Sequence, residues 1–363
     1  MTGQLRLEAV LRNEPLVGPQ TVHFDLANNC NTRCTTCWHH SPLLEVVRRP
    51  DAAWRRRCLS LERFRAILDD LIALGGLEQI ILSGMGEPTL NPQLHEMVQY
   101  AHRAGIAVTI ITNLLQLDLP RLLDSEGKLD LLASLCAATD EVWQAFHCHP
   151  TPGGFARVTA QLELLQRRGF SPKHVHVINS QNCHQLVQMV ELAQRYPVKR
   201  ISFKLASLGR GTERVAPSLA QKRQLRQSLV PLASRSAEAL GVTTDLDAFC
   251  SQIDLTSHRT APIEEVGCYM GLLYCRVTVE AELLFCCNTN LTVGRIEPGT
   301  SFRELWQGER HRWLRDELRR GRFFAGCDQC GKYKENLNWA RRLAGLGLQP
   351  AVPHERRPSR EQA

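Results

Sequence analysis

Residues 21–37 read TVHFDLANNCNTRCTTC. The opening run is β-branched and aromatic, as a strand is, and the polar pair Asn28-Asn29 ends it. Three cysteines, Cys30, Cys34 and Cys37, follow within eight residues. A strand that feeds directly into three thiols places soft metal ligands at its carboxyl end, where α/β folds keep their sites. The same unit recurs outward along the chain. Short apolar runs stand at QIILSG (79–84), VTIITN (108–113), LDLLASL (129–135), HVHVIN (174–179) and VKRISFKL (198–205). Amphipathic helical patterns cover 60–74, 91–104, 153–169 and 182–196, opening at Ser60 and at Asn91-Pro92, with Gly75, Gly105 and Gly169 past their ends. Strands alternating with helices call for a parallel sheet with right-handed crossovers. Six such units are too few for a complete eight-stranded barrel. The chain is therefore read as α/β, with a partial barrel or an open sheet.

After Leu208-Gly209-Arg210-Gly211 the pattern changes. Residues 218–240 read as one long helix, 266–296 as short strands with turns and cysteines, and 301–320 as one amphipathic helix. The expected division is an N-terminal extension (1–20), a barrel (21–210), a linker helix region (211–250), a small α+β unit (251–340) and a basic disordered tail (341–363).

Composition narrows the class. The chain has 363 residues, 43% of them hydrophobic and 22% charged, enough for a sizeable core. No uncharged apolar run approaches the ~18 residues of a membrane span. Arg6, Glu8 and Arg12 interrupt the N-terminus, which excludes a signal peptide. A cytoplasmic protein is expected, and its fourteen cysteines then point to metal or redox chemistry rather than to disulfides. The net charge of +7 traces to two stretches, 48–57 with five arginines against one aspartate and 341–363 with five against two glutamates. Both read as solvated surface, so neither a membrane nor a nucleic acid is an expected partner.

Three crowded thiolates can wrap one face of an iron–sulfur cube and leave its fourth iron open; the four-cysteine ferredoxin run fills every iron. A partial zinc site is the competing reading of the triplet. Ser83-Gly84-Met85-Gly86-Glu87-Pro88 follows the second strand, where glycines let a ligand approach the backbone and Glu87 offers a carboxylate to an ammonium group.

Together these two segments resemble the radical S-adenosylmethionine (radical SAM) superfamily, whose CxxxCxxC motif CNTRCTTC matches and whose GGEP segment SGMGEP resembles, with Met85 in place of the first glycine. The resemblance covers about residues 21–205 and implies a partial (β/α)6 TIM-like barrel. It also implies a [4Fe–4S] cluster on Cys30, Cys34 and Cys37, with SAM on the free iron. Gly84, Gly86, Glu87 and Pro88 would form the SAM segment, Asn113 and Ser134 match strand-end positions that touch SAM, and Trp38 would shield the cofactor.

A second set, Cys268, Cys275, Cys286, Cys287, Cys327 and Cys330, lies near the C-terminus. The run ELLFCCN…VGRI…SFRELW…CDQC resembles a SPASM domain or its shorter twitch form. With no cysteine after Cys330, the twitch type is implied, holding one auxiliary [4Fe–4S] cluster on Cys268, Cys286, Cys327 and Cys330. Cys275 competes with Cys268, Cys287 with Cys286, and zinc with the cluster. His147-Cys148-His149 and His39-His40 read as loop residues without a ligand role. Cys58, Cys136, Cys148, Cys183 and Cys250 read as small core hydrophobes.

The implied activity is reductive cleavage of SAM to a 5′-deoxyadenosyl radical that abstracts hydrogen from a substrate C–H bond. Peptide maturation of the ribosomal-peptide (RiPP) type or a two-electron oxidation is the leading reading. A sugar or aminocyclitol dehydrogenase is an alternative, and so is an epimerase with Cys275 or Cys287 as hydrogen donor. A redox-sensing or scaffolding Fe–S or zinc protein is the non-enzyme reading. Implied partners are the peptide or small-molecule substrate, a flavodoxin- or ferredoxin-type reductant, and a separate peptide-recognition protein.

Overall fold

The structure, a computed structural model, describes residues 2–348 apart from 151, 199, 257–259, 288 and 298. Six parallel strands form first: β1 (Thr21–Asp25), β2 (Gln79–Ser83), β3 (Ala107–Thr112), β4 (Leu129–Ser134), β5 (Lys173–Ile178) and β6 (Arg200–Leu205). Each lies within two residues of its sequence expectation. The helices that cross between them include α1 (Leu61–Leu74), α2 (Leu94–Arg103), α3 (Asp140–His147), α4 (Gly154–Arg167) and α5 (Leu186–Arg195). Ser60 caps α1, its hydroxyl accepting the Arg63 N–H at 3.2 Å, a bond worth about 1 kcal/mol.

Alternation along each strand sorts the two faces of the sheet. Val22 and Phe24 of β1 and Ile80 and Leu82 of β2 are buried against Phe64, Ile67 and Leu68 of α1. Ile201, Phe203 and Leu205 of β6 pack against α5 in a second cluster. The opposite, inner face therefore carries His23 and Asp25 of β1 and Ser202 and Lys204 of β6.

The C-terminal part packs directly onto the barrel strands. Strands β7 (Tyr274–Val277), β8 (Glu282–Leu284) and β9 (Thr292–Arg295) extend the same sheet, in the order β6-β5-β4-β3-β2-β1-β7-β8-β9. β7 runs parallel to β1 with His23 opposite Arg276. A β7–β8 hairpin then turns the sheet antiparallel. Phe285, Phe302 and Trp306 belong to the same core as Phe24 and Phe64. The phenylalanine N–H of Phe302 donates to Asp70 of α1 at 2.7 Å. The expected boundary near 251 thus cuts through a shared core.

The helix expected over 218–240 runs without a break from Leu219 to Ala239, with a π turn at Leu225–Leu229. Two further expectations change. The helix over 301–320 breaks at Gly308, whose ψ of 167° is extended, giving α6 (Phe302–Gln307) and α7 (Glu309–Arg319). A final helix, α8 (Tyr333–Gly345), carries the chain past the expected start of the basic tail at 341. Leu343 and Trp339 of α8 join Tyr274 and Ile81 of the inner sheet face in one apolar cluster. The rest of that expected tail, 349–363, lies outside the described residues.

Candidate functional site

The Cys30–Cys37 loop leaves β1 and is pinned by the end of α3. The N–H groups of Arg33 and Thr35 donate to the carbonyls of His147 and Phe146 at 2.9 and 2.8 Å. The three sulfurs share a small network. The Thr32 hydroxyl lies 3.3 Å from Cys30 Sγ and 3.5 Å from Cys34 Sγ, and the His39 and His40 N–H groups donate to Cys37 Sγ at 3.4 and 3.3 Å. Burial pushes the Cys30 thiol up to about 11, that of Cys34 well above its ordinary value, and that of Cys37 upward. Neighbouring sulfurs raise Cys30 and Cys34 further. A site that disfavours bare thiolates yet gathers three of them suits a metal centre that displaces their protons.

His147 is a residue that the sequence reading placed in a loop. It ends α3, is fully buried, and its Nε2–H donates to the Leu135 carbonyl at 3.1 Å. Its Nδ1, 3.3 Å from Cys34 Sγ, is left to accept from that thiol, and burial lowers the imidazole to about 4, so the ring is neutral. The signal was present: Thr139 caps a run, DEVWQAFH, whose Val142, Trp143, Phe146 and His147 share one buried face.

The glycine-rich segment after β2 crosses the strand-end of β1 closely. The Gly86 N–H donates to the Ala27 carbonyl at 3.0 Å and the Glu87 N–H to the Asn29 carbonyl at 2.7 Å. A Cβ on Gly86 would stand 1.9 Å from Asn29 O, and one on Gly84 2.6 Å from Ala27 O. Both glycines are thus required by the chain crossing itself.

Glu87 is 4% exposed. Its Oε1 accepts from the Thr112 hydroxyl at 2.6 Å and the Thr89 hydroxyl at 2.9 Å, and its Oε2 from the Asn113 N–H at 3.0 Å. Burial raises its pKa against these bonds. The carboxylate therefore braces the β2 and β3 loops. Pro88, buried, opens the short turn that follows. Asn113, through Nδ2 to Asn31 Oδ1 at 2.7 Å, ties the end of β3 to the cysteine loop. Ser134 ends β4, its Oγ 3.7 Å from Cys136 Sγ. Trp38 donates its indole N–H to the Ser207 carbonyl at 2.8 Å, at the exit of β6.

Of the second set, Cys268, Cys286, Cys287, Cys327 and Cys330 line one cavity. Burial raises the Cys327 thiol to about 12, and those of Cys268 and Cys330 far up. Cys275 is elsewhere: it points to the helix side of β7, fully buried in the core, on the face opposite Tyr274 and Arg276. That position removes it both as a competitor of Cys268 and as a hydrogen donor to anything on the inner face. Among the described residues no three His, Cys, Asp or Glu side chains are arranged to hold a single metal ion. A cube, whose irons occupy separate corners, asks instead for sulfurs spread over the walls of a cavity, as Cys268, Cys286, Cys327 and Cys330 are.

Arg276 links the two regions. Its Nε donates to both carboxylate oxygens of the buried Asp25, at 2.9 and 3.1 Å, and its Nη1 to the Cys287 carbonyl at 3.2 Å. Among the described residues no helix is long and apolar enough to cross a membrane.

Comparison with known proteins agrees with this geometry. Residues 25–193 match the model of the radical SAM superfamily. The chain is 25% identical over 312 residues to an AdoMet-dependent heme synthase of Methanosarcina barkeri, covering 82% of this chain and 85% of that protein. It is 27% identical over 330 residues to the mycofactocin maturase MftC of Mycolicibacterium smegmatis, covering 88% and 77%. The crystal structure of Streptococcus suis SuiB bound to precursor peptide SuiA shares the fold, with a TM-score of 0.64 at 16% identity over 91% of this chain and 74% of that one. Residues 25–193 are thus a radical SAM domain.

Proposed function

We propose that the protein is a radical SAM maturase that removes hydrogen from a C–H bond of a peptide substrate. The observation that carries this reading is the loop on which three buried sulfurs are held by Thr32, His39, His40 and His147 beside the braced Gly86-Glu87 segment. When bound, a [4Fe–4S] cluster and SAM supply, on one-electron reduction, the 5′-deoxyadenosyl radical that takes the substrate hydrogen. Cys30, Cys34 and Cys37 would hold the cluster. Glu87 fixes the Thr112-Asn113 turn, so that Asn113 and the backbone of Met85 and Gly86 face the cofactor. Cys268, Cys286, Cys327 and Cys330 would hold an auxiliary cluster, with Cys287 lining the same cavity. The mycofactocin maturase and the peptide-bound SuiB support a peptide substrate. The heme synthase, matched over 85% of its length, favours a tetrapyrrole as the second reading.

The electron donor has a candidate face. Val46 and Val47 are 77% and 90% exposed, amid the exposed Arg48, Arg49, Arg55 and Arg56. Trp54 of the same segment stacks on His39, two residues from Cys37, at 5.2 Å. An acidic reductant of the flavodoxin or ferredoxin type fits this surface. Arg55→Glu/Arg56→Glu should slow reduction by such a protein roughly tenfold and leave reduction by dithionite unchanged; equal rates with the protein donor would refute the assignment.

The activity itself is tested on anaerobically reconstituted protein given dithionite and SAM. Formation of 5′-deoxyadenosine, abolished in a Cys30→Ala/Cys34→Ala/Cys37→Ala variant, is the expected result. No 5′-deoxyadenosine from iron-loaded protein would refute the reading.

A further inference from the structure

On the inner face of the sheet, cations outnumber the carboxylates that partner them. Asp25 is taken by Arg276 at 2.9 Å, and Asp245 by Lys334 of α8 at 3.3 Å. Glu335, half exposed, pairs with Lys332 at 3.5 Å. Lys332 also lies 4.2 Å from the centre of the Tyr274 ring. Lys204, on the inner face of β6 and exposed, has no hydrogen bond or ion pair among the described residues.

His23 stands between these groups on β1. Its Nδ1 meets the Tyr274 hydroxyl at 3.0 Å, while its Nε2, buried, has no hydrogen-bond partner and lies 3.7 Å from Asp25 Oδ1. Burial, reinforced by Arg276, Lys332 and Lys204, keeps the His23 ring neutral, its pKa far below the ordinary value. Lys332 and Lys204 also lower the pKa of the Glu335 carboxyl and keep it ionised. The first turn of α8 begins at Tyr333, next to Lys332, and the amide groups of a helix N-terminus add positive potential there. An orphaned ring nitrogen and an unpaired ammonium on one inner face are what an anionic group of a ligand would satisfy.

Resting on the proposed radical SAM activity, we propose that the inner-face group formed by His23, Lys204, Tyr274 and Lys332 receives a carboxylate of the substrate. The carboxylate would bind Lys204 and Lys332, and His23 would read it through Nε2. Arg276, committed to Asp25 and to the Cys287 carbonyl, sets the depth at which it stops. The same chemistry serves the terminal carboxylate of a peptide and the side-chain carboxylates of a tetrapyrrole.

Equilibrium dialysis of the reconstituted full-length protein with SAM, and without reductant so that no turnover intervenes, tests the assignment. One pair of probes is a mixed-sequence pentapeptide pool with free C-terminal carboxyls and the same pool amidated. The other is coproporphyrin III and its tetra-amide. In at least one pair the acid should be retained about tenfold more strongly than its neutral partner, and that pair identifies the source. Lys204→Met and Lys332→Met should each lower the preference by roughly threefold or more, and Lys204→Arg should keep it. On the unaltered protein, about 0.5 M salt should weaken retention of the acid and leave that of the amide unchanged. Equal retention of acid and amide in both pairs overturns the inference. So does a preference indifferent to salt or surviving in the double methionine variant. Release of 5′-deoxyadenosine from SAM, measured on the same preparation with dithionite, reports on the activity alone. Its presence without any carboxylate preference sinks this inference and leaves the activity standing.

Discussion

Single residues hold the site in place by what they exclude as much as by what they bind. Gly86 is the sharpest case, because the chain crossing leaves 1.9 Å between a would-be Cβ and Asn29 O. Gly86→Ala must push the two loops apart, at a cost of roughly 1–3 kcal/mol or more. A lower thermal midpoint and reduced iron loading are expected, measured by circular dichroism and iron analysis; normal loading would contradict the crossing. The GGEP-like segment was legible in the sequence, but the role of Glu87 was not. The carboxylate reads as a free ligand group until Thr89, Thr112 and Asn113 are seen to converge on it from two loops. His147 escaped for the same reason: its partner Cys34 is 113 residues away.

At the scale of elements, β5 carries an uncommon load. His174 and His176 face the helix layer with neither ring nitrogen hydrogen-bonded, His176 stacked on Phe203 at 5.4 Å. Burial lowers His174 to about 3 and His176 well below its ordinary value. Each ring charges near 6.5 in the unfolded chain and stays neutral in the fold to a much lower pH. The unfolded state therefore binds more protons in that window, and stability falls as pH drops from about 6.5 towards 3. A His174→Leu/His176→Leu variant should lose less stability between about pH 7 and about pH 5 than the parent protein, read as urea midpoints. An identical loss would show that these rings are not the acid-sensitive groups. The six barrel strands were readable because each is a short local apolar run between helical patterns. The break in the helix over 301–320 was not, since Gly308 reads as a tolerable interior glycine until α6 and α7 diverge there.

Across the whole molecule, the surprise is continuity. Cysteine spacing suggested a small C-terminal unit stapled by a metal, yet β7 completes the edge of β1 and Trp306 donates its indole N–H to the Val17 carbonyl at 3.1 Å. Strand pairing across 250 residues of chain leaves no local trace, whereas each cysteine motif does. A fragment ending at Leu208 would expose the β1 edge and the part of the shared core that Phe285, Phe302 and Trp306 cover. It should aggregate or unfold without cooperativity, checked by size-exclusion chromatography and thermal melting. A fragment that melts sharply would restore the two-unit division. The same continuity places Arg276 between Asp25 at the end of β1 and the second cysteine cavity, so the proposed carboxylate site draws on both halves.

The account stands on the proposal that Cys30, Cys34 and Cys37 hold an iron cube with one iron left for SAM. Electron paramagnetic resonance of the reduced, reconstituted protein tests it most directly. Adding SAM should change the spectrum of a cluster that disappears when Cys30, Cys34 and Cys37 are replaced by alanine. A spectrum indifferent to SAM, or one that survives those replacements, would contradict it.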